Sequence, residues 1–215
     1  MKRWLSYIYP ITKKIPSAYN GMLEITWYNG KKHLNTKNAN YSYGSLQKIL
    51  KTGLQRIDLN QCGQVLILGM GGGSVIETLQ QDFNYQNCIT ALDIDPVIID
   101  IAKDEFNISN TPNLTIICAD ALKFMHQNQQ LFDLIIVDLF VDTNIPDSFF
   151  GVPFWKNIVK AVSKKGSILF NASLYKTEDK KLAKIIAFLH KHGFQTEKIE
   201  KVNNTNTLLI AKATR

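Results

Sequence analysis

Four apolar runs end on residue types that could do chemistry. Val65-Leu-Ile-Leu68 ends on Gly69-Met-Gly71-Gly72-Gly73-Ser74, and three later runs end at or just before Asp93, Asp120 and Asp138. The result is one glycine-rich turn and three carboxylates at successive strand ends. Glycines at 69, 71 and 73 permit a tight strand-to-helix turn and let the main chain approach a ligand closely. The G-x-G-x-x-G spacing of a dinucleotide site is broken by Ser74, whereas G-x-G-x-G fits. Asp93 offers two acceptor oxygens to the two hydroxyls of a ribose, and Asp120 can accept from an adenine amino group. Ile94 and Ala121, next to them, belong to the same candidate nucleoside site. No Lys or Arg lies between residues 57 and 102, so little local charge is available for a pyrophosphate. A nucleoside bearing a positive charge and no phosphate suits such a site. S-adenosylmethionine and its decarboxylated form both meet that description.

Either compound would react by in-line displacement at a carbon attached to a sulfonium. Such a reaction chiefly needs a positioned nucleophile and excluded water. A base helps when the nucleophile is a protonated amine, and Asp138 is the candidate. Humbler jobs are open to the same residues. The glycines could serve only a turn. Asp93 could cap a helix, although Asp95 is better placed before Pro96, and Asp120 could cap the helix at Ala121 while also binding. Asp138 could be a solvated loop charge. His33, His126, His190 and His192 show no ligand spacing. Cys62, Cys88 and Cys118 form no C-x-x-C pair, so neither a metal site nor a disulfide framework is expected.

The elements that must position these groups read as alternating strands and helices. Strands are expected at 65–68, 89–92, 114–118, 134–137 and 167–170, each short and wholly apolar, as in a parallel sheet covered on both faces. Helices are expected near 75–80, 96–105, 121–127 and 153–162, with Pro96 and Pro153 suited to first turns. A helix from about Glu178 to His192 carries Leu182, Ile185, Ile186 and Leu189 on one face. Residues 194–201 and 206–211 read as closing strands around Asn203-Asn204. Ahead of residue 60, Met22–Tyr28 and Lys31–Thr36 flank Asn29-Gly30, the preferred pair for a type I′ hairpin turn. Leu46, Ile49 and Leu50 follow at helical spacing, with Ser42 or Ser45 as a cap and Gly53 near the end. Residues 1–60 therefore read as an N-terminal arm, hairpin and helix, and residues 61–215 as a doubly wound, mostly parallel α/β domain.

Composition bounds the function. With 215 residues, 45% apolar and 20% charged, the chain has material for a packed core. No apolar run approaches the roughly 20 residues needed to span a bilayer. Lys2-Arg3 before Trp4–Tyr9 faintly suggests a signal peptide, but Pro10 interrupts the run and no cleavage site follows. Met1 to Pro16 is read as a mobile or docking arm, and the cytoplasm is the expected location. Net charge is +8 over residues 1–60, −10 over 61–150 and +9 over 151–215. The acidic centre, which holds every motif, favours a cationic ligand. The basic flanks are read as solvated faces, so nucleic acid is not an expected partner.

These motifs resemble the spermidine synthase family, whose fold is that of the class I methyltransferases. The resemblance rests on Val65–Val75, Ala91-Leu-Asp-Ile-Asp-Pro-Val97, Ala119-Asp-Ala-Leu-Lys-Phe-Met125 and Phe132-Asp-Leu-Ile-Ile-Val-Asp138, and covers roughly residues 20–175. It implies a nucleoside on the turn at Gly69–Gly73, ribose on Asp93, adenine on Asp120, and an attacking amine on Asp138. It also implies a catalytic-site role for Tyr43, the tyrosine that follows the family's short β-domain, which could equally be a packed lid residue, and association of copies through the N-terminal region as a homodimer. Three departures remove polar groups that would grip a diamine. Gly72 stands where the synthases have Asp. Asp138-Leu-Phe-Val141 replaces D-S-S-D, with Asp142 one place further on. Gly44 replaces a polar residue. The segment through Ile145-Pro146, Phe154-Trp155 and Asn171 resembles the divergent members of the family. The expected function is a transferase moving a methyl or aminopropyl group to a small acceptor, with an amine as one class. Genuine spermidine synthesis from putrescine, a binding protein without turnover, and an RNA-directed methyltransferase are the alternatives.

Overall fold

The computed structural model describes residues 2–36, 40–173 and 179–214. The expected first residue of the last helix, Glu178, lies outside them. A helical turn α1 (Lys2–Leu5) leads into β1 (Ile11–Ser17), β2 (Gly21–Tyr28), β3 (Lys31–Asn35) and β4 (Asn40–Ser42), which form an antiparallel sheet in that order. The β2–β3 turn is Asn29-Gly30, both at positive φ, as a type I′ turn requires. Much of the stretch expected to be an arm is therefore a strand. β1 pairs with β2 from Ile11 opposite Trp27 to Ser17 opposite Gly21. None of its residues is fully buried. Lys13, Lys14 and Pro16 are edge-strand residues, so it leaves no apolar alternation to read.

Helix α2 (Ser45–Leu54) follows. Its cap is Gly44 at φ 61° rather than either serine. The Ser42 hydroxyl instead accepts from the Ser74 amide at 3.3 Å. Then come β5 (Gln64–Leu68), α3 (Ser74–Glu77) widening into a π-helical turn at Thr78–Asp82, β6 (Cys88–Asp93) and α4 (Pro96–Phe106). The chain continues through β7 (Leu114–Cys118), α5 (Ala121–Gln127), β8 (Phe132–Val137), α6 (Val152–Ala161), β9 (Val162–Ser173), α7 (Asp179–Lys191), β10 (Phe194–Val202) and β11 (Asn206–Ala213). The seven strands are ordered β10-β11-β9-β8-β5-β6-β7. β5 to β9 run parallel and the last two strands antiparallel.

Burial explains the sheet. Val65, Leu66, Ile67 and Leu68 have no exposed surface. Val65 and Ile67 face a core with Ile49, Leu50 and Leu79, while Leu66 and Leu68 face one with Met125, Trp155 and Ile158. At ~25 cal/mol per Å² of apolar surface, covering both faces is the main force holding the sheet. The chain leaves β5 toward β6 and β7, then returns to place β8 on its other side. That reversal opens a crevice beyond the carboxyl end of β5, the usual place for a ligand in such sheets. Among the described residues, no helix is long and apolar enough to cross a membrane.

Candidate active site

The turn after β5 explains its glycines. Gly69, Gly71 and Gly73 lie at φ 86°, 54° and 89°, a region that other residues avoid. A Cβ on Gly69 would collide with the Asp138 carbonyl oxygen, and one on Gly73 would sit 2.6 Å from Ile108 Cγ1. The turn is pinned to the neighbouring strands. The Gly69 and Met70 amides both donate to the Leu92 carbonyl, at 3.0 and 2.8 Å, and the Asp138 amide donates to the Leu68 carbonyl at 2.9 Å.

Asp93, at the end of β6, organises the adjacent loop. Its Oδ2 accepts from the Gly71 amide at 3.0 Å and its Oδ1 from the Asp95 amide at 3.1 Å. Burial pushes its carboxyl up to about 6 in spite of these bonds. Asp95, not Asp93, caps α4, accepting from the Val97 amide at 3.0 Å. The other Asp95 oxygen accepts from Ser17 Oγ and, at 2.7 Å, from Asn20 Nδ2. The β1–β2 turn is thereby tied to the loop that carries Asp93 and Ile94.

Asp120 caps α5 through the Lys123 amide at 3.0 Å and also faces the crevice, so it holds both positions at once. Asp138 accepts at Oδ1 from Asn171 Nδ2 at 2.8 Å, and Asn171 Oδ1 accepts from Asn206 Nδ2 at 2.8 Å. Burial lifts the Asp138 carboxyl to about 6. The Asn171 bond opposes the rise and the negative charge of Asp93 adds to it.

These groups border one cavity of about 240 Å³. Its wall includes six of the residues expected from sequence, Gly69, Asp93, Ile94, Asp120, Ala121 and Asp138. Gly71 and Gly73 shape the turn from behind. Tyr43 is not part of the wall. Its ring stacks on Phe106 at 4.3 Å between centroids, and its hydroxyl donates to the Gly72 carbonyl at 3.3 Å. Burial, with Glu77 nearby, raises its pKa far beyond the usual phenol range. Sequence reasoning missed Tyr19 and Asn20, which reach the cavity from the β1–β2 turn, and the apolar wall of Phe140, Val141 and Phe149. Asn20-Gly21 is a turn signal, but nothing in it points to a distant strand end. Among the described residues, no three His, Cys, Asp or Glu side chains are grouped to hold a metal.

Comparison with known proteins bears on the family and the fold. The model of the spermine/spermidine synthase domain matches residues 51–202. A polyamine aminopropyltransferase of Sulfurisphaera tokodaii is 29% identical over 120 residues, covering 52% of this chain and 39% of that protein. An eEF1A lysine and N-terminal methyltransferase homolog of Drosophila melanogaster is 27% identical over 138 residues, covering 60% of this chain and 20% of that protein. The matches thus span well under half the length of either relative. Human methyltransferase-like protein 13, solved in complex with SAH, superposes with a TM-score of 0.65 at 21% identity, over 80% of this chain and 83% of that one. At that identity the likeness speaks for the fold.

Proposed function

From the premise that this chain belongs to the spermine/spermidine synthase family, we propose that it is a transferase using S-adenosylmethionine or its decarboxylated form to pass a methyl or aminopropyl group to a small acceptor. One observation carries the reading: Gly69, Asp93, Asp120 and Asp138 share the wall of a single cavity. The donor set fits the compound. Among the described residues, three carboxylates and no Lys, Arg or His line the wall, which suits a cationic nucleoside and repels a phosphate.

In this reading Asp93 holds the ribose hydroxyls and Asp120 the adenine amino group, with Ile94 and Ala121 packing the base. The sulfonium supplies an electrophilic carbon whose bond to sulfur breaks with both electrons going to sulfur. Asp138 steers an attacking amine and takes its proton, and a carboxyl near 6 is largely ionised at neutral pH. Asn171 holds that carboxylate still. The apolar side chains of Phe140 and Phe149 exclude water.

The acceptor side favours one ammonium over two. Asp142, the displaced second acid, lies at φ 55° and accepts from Thr36 Oγ1 at 2.6 Å. Gly72 faces Ser42, whose Cβ would be 3.1 Å from any Cβ placed there. A second buried ammonium would lack a partner at these two positions, which is costly. Spermidine synthesis from putrescine is the second reading, favoured by the presence of Asp138 in the cavity. The proposal extends to a homodimer in the cytoplasm, where the free and exposed Cys88 and Cys118 stay reduced.

Calorimetry with S-adenosylmethionine, its decarboxylated form, methylthioadenosine and NAD tests the reading. The three adenosyl sulfur compounds bind and NAD does not. Asp93→Asn weakens binding by about tenfold to a hundredfold, the worth of a hydrogen bond to a charged group. NAD binding as tight as the others would overturn the assignment. Release of 5′-methylthioadenosine from putrescine and the decarboxylated donor would select spermidine synthesis.

A further inference from the structure

We propose that Asn206 is a positioning residue that sets the orientation of the Asn171 amide and so holds Asp138 as a hydrogen-bond acceptor toward the cavity. Asn206 opens β11 and lies beyond the residues that the family model matches. Its consequence for transfer rests on the reading of Asp138 as the proton acceptor; the positioning itself does not.

The argument is one of donors and acceptors. An Asn side chain has one accepting oxygen and one donating NH2, and the two ends are nearly the same shape. Facing a carboxylate, only the NH2 end is favourable, whereas the oxygen end demands a protonated acid. Asn171 has no exposed surface, and Asn206 is 4% exposed. Asn206 Nδ2 donates to Asn171 Oδ1 at 2.8 Å, which occupies the accepting end. The NH2 end is left to Asp138 Oδ1, also at 2.8 Å. Among the described residues, Asn171 is the only side chain hydrogen-bonded to that carboxylate. Among the described residues, the charged groups that share the cavity wall with Asp138 are Asp93 from β6 and Asp120, both acids, and no cation lines it. The surroundings thus push Asp138 toward its protonated form, and the Asn171 NH2 opposes them. Without Asn206, the Asn171 amide loses the contact that selects its orientation and can turn its oxygen to a protonated Asp138.

The test is a titration with no ligand present, read by carboxyl-carbon NMR of aspartate-labelled protein. The Asp138 signal is identified by its loss in Asp138→Asn. In Asn206→Leu, the Asp138 midpoint rises by about one pH unit, a tenfold weaker acid. Ile210→Ala, further along the same strand, lowers the melting temperature and leaves the midpoint in place. If Asn206→Leu does not fold, Asn206→Ala carries the same expectation. An unmoved midpoint in a folded Asn206 variant, or an equal shift in Ile210→Ala, overturns the proposal. Either result leaves the transferase reading intact, because that reading is tested by nucleoside binding.

Discussion

Replacing Asp138 by Asn should make the protein more stable, and only above a certain pH. The ordinary aspartate value is 3.8, and burial lifts Asp138 to about 6 in the folded protein. Between those values the folded chain holds a proton that the unfolded chain has released. Stability from this group is therefore full below pH 3.8 and lost as pH rises through about 6. A difference of about two pH units amounts to roughly 3 kcal/mol at ~1.4 kcal/mol each. Water in the cavity screens part of it, so about 1.5–3 kcal/mol is the working figure. Asparagine is uncharged and keeps an oxygen for the Asn171 NH2, so Asp138→Asn should recover that amount above pH 7. For a chain of this size the gain is about 3–12 °C in melting temperature. Asp93 is also lifted to about 6 and gives the wild type a slope of the same sign, so the difference between proteins is the quantity to follow. Scanning calorimetry of both proteins from pH 4 to pH 8 should show the gap opening between about pH 4 and pH 6 and levelling off above that. A gap that stays constant across that range, or a variant that melts below the wild type at pH 8, would refute the reasoning.

Two further substitutions probe the turn and the residue behind it. Gly69→Ala imposes a left-handed alanine, at about 1–2 kcal/mol, and drives its methyl into the Asp138 carbonyl, so thermal melting should fall by at least about 5 °C and S-adenosylmethionine binding should be lost in calorimetry. Tyr43→Phe removes the hydroxyl's bond to the Gly72 carbonyl and its interaction with Glu77, so it should cost about 0.5–1.5 kcal/mol in urea unfolding and leave nucleoside affinity within about twofold. A tenfold loss of affinity in that variant would return Tyr43 to the binding site.

The parallel strands were legible because they are covered on both faces, so Val65–Leu68 and Leu134–Val137 read as unbroken apolar runs. Their terminal glycines and acids then located the crevice, since chain direction alone sends successive carboxyl ends to the same edge. Helix α5 follows its expected bounds, Ala121–Gln127, with Asp120 as its cap. β1 was illegible because an edge strand with lysines on it needs no alternation. The cavity edge at Tyr19 and Asn20 was illegible for another reason. Asn20 finds Asp95 across 75 residues of chain, and no local spacing encodes that bond. Asn171 and Asn206 meet across 35 residues, one at a strand end and one at a strand start, where each alone reads as a turn residue.

Gly72 couples the turn to the small N-terminal sheet. A side chain introduced there would press on Ser42, which receives the Ser74 amide, and on Leu34 Cδ2, 3.3 Å from the new Cβ and fully buried. An acidic side chain at position 72 consequently asks for a second change in the small sheet, at Ser42 or Leu34, before the turn can hold it. Engineering of this loop therefore has to treat the glycine turn and the N-terminal sheet as one unit.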